Sequence, residues 1–208
     1  PAASGIDYYG GNFYVIGDNV PYVSVLDAHW QPTARHPIFT PTNPFDGQSD
    51  DVIPKPTKPD LEASTLVTLD DAPHLLLLGS GSMVPQRDRA FLLPLPALGP
   101  AQEVSLTVLY DFLRSLPEVS EGFRLNVEAA CAAERLHLFH RGNVSGNNVR
   151  ISYALPDVLH YLRDPAGNLV ELDTPGASRL PEALRSQLKR LEDMRPQNAQ
   201  NMAARLVD

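Results

Sequence analysis

Short runs of alternating apolar and polar residues recur along this chain, about four to a round and with a round about every 60 residues, and no other feature limits its fold as tightly. The first round has Ile6 and Tyr8, then Phe13 and Val15, then Tyr22, Ser24 and Leu26, broken by Gly10-Gly11-Asn12 and Asp18-Asn19. Period two marks strands with one face inward, and the breaks are turn residues. Ser4–Tyr9, Asn12–Gly17, Pro21–Asp27 and Pro32–Phe39 are therefore expected as an antiparallel meander. A stretch rich in Pro, Asp and Lys follows, from Pro41 to Pro59, and reads as a long loop of the kind that often carries function.

The pattern restarts at Leu61–Leu69, His74–Gly79, Arg89–Leu95 and Val104–Tyr110. It restarts again at Leu125–Ala133, Arg135–His140, Asn148–Leu155 and Val158–Leu162. Two landmarks keep step. The second strands close on Gly17, Gly79 and Gly142, which lie 62 and 63 residues apart. The first strands open with Ala2-Ala3-Ser4, Glu62-Ala63-Ser64 and Glu128-Ala129-Ala130. Units of this length with four strands each predict an all-β chain: a β-propeller or partial propeller of about three four-stranded blades, over 1–40, 61–116 and 125–163. A β-sandwich with strands in step is the alternative.

Beyond Asp164 the character changes to a turn and a C-terminal helical segment, 164–208. From Ser178 to Met194 the residues Leu180, Leu184, Leu188 and Leu191 fall at helical spacing, with Arg185, Lys189 and Arg190 opposite and Pro196 as the stop. This amphipathic helix predicts docking on a sheet or self-association with a second chain.

Charge and cysteine narrow the partners. Lys+Arg 17 against Asp+Glu 25 gives a net charge of −8, which argues against nucleic acid and anionic membrane surfaces, since both require a basic face. The apolar runs, such as Leu75 to Leu78, are too short to span a bilayer. Cys131 is the one cysteine, so neither an intrachain disulfide nor a thiolate metal cluster can form. In its small-residue strand it is expected to be buried and inert. Pro1 stands where Met would begin a chain, so a processed form or a piece of a longer protein is expected, and no compartment can be read.

Several strings carry a resemblance: Ala3-Ser-Gly-Ile-Asp-Tyr-Tyr9, Phe13-Tyr-Val-Ile-Gly-Asp18, Lys58-Pro-Asp-Leu-Glu-Ala-Ser64, Leu78-Gly-Ser-Gly-Ser82, Leu125-Asn-Val-Glu-Ala-Ala130 and Leu138-Phe-His-Arg-Gly-Asn143. Over residues 1–163 the chain resembles a largely uncharacterised bacterial propeller-like family. That family is distantly similar to the phytase-like propellers, whose first strand opens with Glu next to a small residue. The resemblance implies further blades where Asp164 stands here. Truncation, two chains completing one ring, or a C-terminal helix over the open edge would each account for the difference.

In a propeller the first strand of each blade lines the axis, so Glu62 and Glu128 are expected to point to one place. Two converging carboxylates hold a hard cation such as Ca²⁺, bind an ammonium or guanidinium, or keep a proton on one of them. The plainer outcome is hydrogen bonding to backbone N–H groups of a neighbouring blade. The loops after the second strands would add Asp18 and Asn19, Ser80 and Ser82, and Arg141 and Asn143 to this rim. Arg141 would clamp an anion or pair with Glu62 or Glu128.

Other patterns are weaker. Gly79-Ser-Gly-Ser-Met83 lacks the order and the strand-to-helix setting of a nucleophile elbow. His137 and His140 are an odd number apart on a strand, so they cannot chelate one metal. Asn143-Val-Ser145 fits a glycosylation acceptor.

Three functions are consistent with these features. The first is a binding module with an axial pocket for a small anionic or cation-bridged ligand. The second is a metal-dependent phosphoesterase or lactonase-like hydrolase, with Glu62 and Glu128 as metal ligands or general base and Arg141 as anion clamp. The third is a protein-interaction platform using the Pro41–Pro59 loop and the Leu180–Leu191 stripe.

Overall fold

The computed structural model describes residues 3–40, 52–119, 124–143 and 148–164. The expected helix over Ser178–Met194, most of the Pro41–Pro59 stretch and the Val-Ser half of the glycosylation pattern lie outside them. Within them the first four strands form as the alternation dictates: β1 (Ala3–Tyr9), β2 (Asn12–Gly17), β3 (Tyr22–Leu26) and β4 (Pro32–Pro37) pair antiparallel in chain order. Gly10 and Gly11 both take positive φ in the β1–β2 turn, a conformation glycine reaches without a steric penalty.

The second sheet repeats this order with β5 (Leu61–Leu69), β6 (Ala72–Gly79), β7 (Arg89–Pro94) and β8 (Gln102–Ser105). Here Asp70 and Asp71 hold the positive-φ turn. The third sheet contains β9 (Val127–Ala132), β10 (Arg135–His140) and β11 (Val149–Ala154).

Two cores hold the sheets together, one on each face of the second sheet. Tyr14, Ile16, Val23 and Val25 pack on Leu75, Leu77, Phe91 and Leu93. On the other side Leu76, Leu78, Ala90 and Leu92 pack with Leu136, Leu138, Ile151 and Tyr153 of the third sheet. Both parities of β6 are thus buried, which is why its sequence is a solid leucine run rather than an alternating one.

The first strands adjoin one another, β1 on β5 and β5 on β9. Ser4 Oγ donates to Leu61 O at 2.5 Å, and Ala132 N donates to Thr65 Oγ1 at 3.0 Å. Consecutive meanders with neighbouring inner strands are propeller architecture, here a partial one of three sheets among the described residues. No described helix is long and apolar enough to cross a membrane.

Two strand expectations fail at the sheet edges. The span Val104–Tyr110 is not one strand: β8 ends at Ser105 and α1 runs Thr107–Ser115. Val158–Leu162 lies in α2 (Leu155–Arg163), so the third sheet has three strands instead of four. In both segments the apolar residues also fit helical spacing, and burial of Leu109, Tyr110 and Leu113 in one case and Val158, Tyr161 and Leu162 in the other decides for the helix. Cys131 is exposed, contrary to expectation, because the alternation of β9 turns it away from the core that receives Ala130 and Ala132.

The repeat landmarks also shift. Each first strand carries an irregularity at the same place: Ala3 pairs Gly17 and Gly5 pairs Ile16; Leu61 pairs Gly79 and Ala63 pairs Leu78; Val127 pairs His140 and Ala129 pairs Phe139. The residues skipped are Ser4, Glu62 and Glu128, so Ser4, not Ala2, is the counterpart of the two glutamates. His140, not Gly142, is the counterpart of Gly17 and Gly79.

Helix α1 is fastened by a buried ion pair. Arg114 Nη2 donates to Asp88 Oδ1 at 2.5 Å and to Gly81 O at 2.6 Å, and Arg114 Nη1 donates to Asp88 Oδ2 at 2.9 Å. Replacing Arg114 leaves the fully buried Asp88 side chain uncompensated. Arg114→Met is expected to cost about 3–5 kcal/mol in urea unfolding. A loss below about 1 kcal/mol, the value of a surface pair, would show that the helix is held by its apolar face alone.

Candidate functional site

The ends of the second strands and the starts of the first strands meet at one rim of the sheets, and the second sheet contributes most of its polar groups. Asp60 stands immediately before β5, buried, with φ 55, a left-handed conformation that Asp tolerates better than most residues. Lys58 Nζ lies 2.5 Å from Asp60 Oδ1 and 2.6 Å from Asp18 Oδ2, so one ammonium joins the loop after β2 to the entry of β5. Asp60 Oδ2 accepts from Ser80 Oγ at 2.7 Å, from Ser82 Oγ at 3.3 Å and from Arg87 Nη1 at 2.5 Å. Arg87 Nη1 also donates to Ser82 Oγ at 2.5 Å, and the two serine hydroxyls are 2.8 Å apart.

Gly79 fixes how closely this loop folds back. A Cβ there would meet Arg87 O at 2.4 Å and Pro59 O at 2.7 Å, so only glycine fits between these two backbones.

Glu62, skipped in the β5–β6 pairing, joins Asp18 and Asp60: a carboxylate oxygen of each lies within 4.8 Å of the others. The electrostatics divide the three. Burial would raise the Asp60 carboxyl, but Lys58, Ser80 and Arg87 outweigh it and hold Asp60 below its ordinary value. Lys58 is held above its ordinary value, because the bonds to Asp18 and Asp60 overcome the effect of burial. Glu62 is pushed up to about 7, first by burial and then by the negative charges of Asp60, Glu128 and Asp18, against a smaller opposing pull from Lys58. It is the acid of the cluster that takes up a proton near neutrality.

The third sheet makes a matching but more open pair. Glu128 Oε1 accepts from Asn126 Nδ2 at 2.5 Å and from Arg141 Nη2 at 2.9 Å, while Arg141 Nε donates to Asn143 Oδ1 at 2.8 Å. Glu128 and Glu62 hold corresponding positions and feel one another's charge. Yet the carboxylates that gather around Glu62 are Asp18 and Asp60, and Glu128 is engaged by Arg141.

Of the residues expected at this rim, Asp18, Glu62, Ser80 and Ser82 form one cluster, and Glu128, Arg141 and Asn143 form a second group on the neighbouring sheet. Lys58, Asp60 and Arg87 were missed. They sit in loops, where periodicity is silent, and the one available signal was the string Lys58-Pro-Asp60 directly before a first strand. His137 and His140 do not meet: His137 Nδ1 bonds Ser152 Oγ at 2.6 Å, and His140 is buried with Nδ1 accepting from Asn126 N at 3.0 Å.

What the cluster can bind follows from its unfilled atoms. Arg87 is 7% exposed, and its Nε and Nη2 are buried without a hydrogen-bond partner among the described residues. Asp18 Oδ1 and Asn19 Oδ1 are likewise buried acceptors without a donor among the described residues. The position between Asp18 and Asp60 that a cation would take is held by the Lys58 ammonium.

The raised Glu62 carboxyl makes stability depend on pH. The unfolded chain releases this proton near 4.5 and the folded chain near 7, so the native state binds more protons between those values. Its contribution is complete below pH 4.5 and is lost as pH rises through 7. For a half-exposed group the loss is about 1–2 kcal/mol after solvent screening. Urea midpoints measured from about pH 5 to about pH 8, a range that brackets the folded-state titration, should fall more steeply for the native sequence than for Glu62→Gln. Parallel curves for the two proteins would contradict the assignment.

Comparison with known proteins adds the family. No curated protein matches the chain. Among solved structures, the WD40 domain of Neurospora crassa Pan2 aligns with a TM-score of 0.38 and 6% identity, over 67% of this chain and 30% of that one. The chain thus spans less than a third of that structure's length. The model of a family of unknown function, DUF6929, matches residues 1–189 of the 208. With nearly its whole length inside that match, the chain belongs to the DUF6929 family.

Proposed function

We propose that this protein is a propeller-type binding module whose ligand is a small anion that also carries hydrogen-bond donors, taken up at the Asp18–Lys58–Asp60–Glu62–Ser80–Ser82–Arg87 cluster. The observation that carries this reading is the buried Arg87 guanidinium with its Nε–Nη2 edge unfilled. That edge is the two-donor fork that matches a carboxylate or phosphate. Each unsatisfied buried donor costs about 1–3 kcal/mol, so an acceptor that reaches the edge recovers that loss. Asp18 Oδ1 and Asn19 Oδ1 are placed to accept from hydroxyl or amine groups of the same ligand. The second group, Arg141 with Asn143 and Glu128, offers a more exposed contact on the neighbouring sheet. A cation-bridged ligand, with Ca²⁺ on Glu62 and Glu128, is less favoured. Glu128 is paired with Arg141, and Lys58 already neutralises Asp18 and Asp60.

Thermal unfolding tests this directly. Phosphate or acetate at constant ionic strength should raise the midpoint, as mass action requires of a ligand that binds only the folded state. The rise should vanish in Arg87→Gln, with Ser82→Ala as the milder variant if Arg87→Gln does not fold. CaCl₂ in place of the anions should leave the midpoint where EDTA does. A shift with CaCl₂ and none with the anions reverses the reading.

One observation supports a second reading, a phosphoester or lactone hydrolase. Glu62 titrates at about 7, where a general base works best. The resemblance to phytase-like propellers points to phosphoesters among these substrates. Release of p-nitrophenol from its phosphate ester, rising with pH through 7 and absent in Glu62→Gln, is the expected outcome for this reading. No turnover by the native protein ends it.

A further inference from the structure

Arg87 reaches the anion cluster from the loop between β6 and β7, residues 80–88, which is neither strand nor helix. Part of the loop's shape is internal. Gly81 N donates to Arg87 O at 3.1 Å, Arg87 N to Met83 O at 2.9 Å and Asp88 N to Pro85 O at 3.1 Å. Gly81 makes the return with φ 71, a conformation open to glycine. A few local bonds gain little against the entropy of the chain they order, so a loop that must hold one shape needs support from outside.

That support comes from α1 and its entry. Leu106, Tyr110 and Arg114 are spaced by four and form one row along the helix. Leu106 N donates to Asp88 O at 2.8 Å, and Tyr110 Oη donates to Gly79 O at 2.8 Å. Gly81 lies close against the same row, since a Cβ there would meet Tyr110 Cδ2 at 2.8 Å.

The contacts of Arg114 fall on both sides of Arg87. Its guanidinium donates to the carboxylate of Asp88, the next residue, and to Gly81 O, while the N–H of Gly81 holds Arg87 O. Arg114 is 3% exposed, and both of its Nη atoms are occupied by protein acceptors, Asp111 Oδ1 among them. It has no donor to offer at those atoms, whereas Arg87 has an unfilled edge. At the far end of the Arg87 side chain, Nη1 is fixed by Asp60 Oδ2 and Ser82 Oγ. With the backbone held from α1 and Nη1 held from Asp60, the direction of the Nε–Nη2 edge is set before an anion arrives. Such preorganisation lowers the entropic cost of binding.

Resting on the anion-binding reading above, we propose that Arg114 is a positioning residue for that site: by tying Gly81 and Asp88 to α1 it keeps the Nε–Nη2 edge of Arg87 aimed at a carboxylate or phosphate that Arg114 itself never touches.

Isothermal titration of the full chain with inorganic phosphate and with acetate, at constant ionic strength and at a temperature where circular dichroism shows each variant folded, tests this. Arg114→Met should weaken anion binding by about tenfold, within the range usual for sites coupled through a shared element. Arg114→Lys keeps the charge but reaches only part of the Gly81–Asp88 pair. It should bind with intermediate affinity, and it carries the comparison if Arg114→Met does not fold. Leu75→Ala opens the core on the opposite face of the second sheet and is destabilised without altering the loop, so it should keep the native affinity. Amide exchange over residues 80–88 should quicken in Arg114→Met and not in Leu75→Ala.

Native affinity in folded Arg114→Met, or in Arg114→Lys where that variant carries the test, overturns the positioning role. The anion site still stands in that case if Arg87→Gln abolishes binding. Equal weakening in Leu75→Ala also overturns the role, because the loss then follows stability alone. A native protein that binds neither anion removes the anion reading and the positioning role with it.

Discussion

The second sheet depends on burying both faces at once, and the rest of the described structure is arranged around that requirement. In β6 Leu75 and Leu77 look one way and Leu76 and Leu78 the other, and all four are buried. A strand of this kind has no solvent side, so it must lie between two partners. The first sheet supplies one and the third sheet with α1 and α2 supplies the other. The polar end of the same strand then falls where three inner strands begin, which is why Asp60, Ser80 and Arg87 meet at a rim rather than on an open surface.

At that rim the charges are balanced by protein groups rather than by solvent. Asp60 is stabilised as a carboxylate by Lys58, the serines and Arg87. Burial disfavours a charge on Glu62, the carboxylates of Asp60, Glu128 and Asp18 add to that effect, and its proton stays on until about pH 7. The high affinity of Glu62 for its proton comes first from burial and then from the charges of Asp60, Glu128 and Asp18, whereas the low affinity of Asp60 comes from Lys58, Ser80 and Arg87 overcoming its burial.

The architecture was legible in the sequence because strands announce themselves by period two and the repeat length fixes how many make a unit. Ten of the twelve expected strands appear in order among the described residues, and the counterpart relation of Glu62 and Glu128 holds in the register. The boundaries beside α1 and α2 were not legible. Residues such as Val104, Leu106, Leu109 and Tyr110 fit either period, and only the space beside the second sheet selects the helix. Half of the site was legible for the same reason: Glu62 lies on a strand, and Asp18, Ser80 and Ser82 follow strand ends. Lys58 and Arg87 come from loops that fold back over the strand ends, and a one-dimensional pattern contains no information on which way a loop returns. Gly79 was seen as punctuation, whereas its physical role is to let the Arg87 and Pro59 carbonyls pass at distances that exclude a Cβ.

The choice between an anion and a metal ion at this cluster comes down to what is already tethered there. A divalent cation seeking Asp18 and Asp60 must displace an ammonium that is covalently part of the site and is always present at high effective concentration. It must also approach the Arg87 guanidinium, which repels it. An anion meets the opposite situation. The Asp60 charge is already spent on Lys58, Arg87 and two hydroxyls, Glu62 is neutral below about pH 7, and the Arg87 edge has donors left over. Because ionising Glu62 would place a third negative charge beside such a ligand, anion uptake and proton uptake at Glu62 favour one another, and binding should weaken as the pH rises through 7.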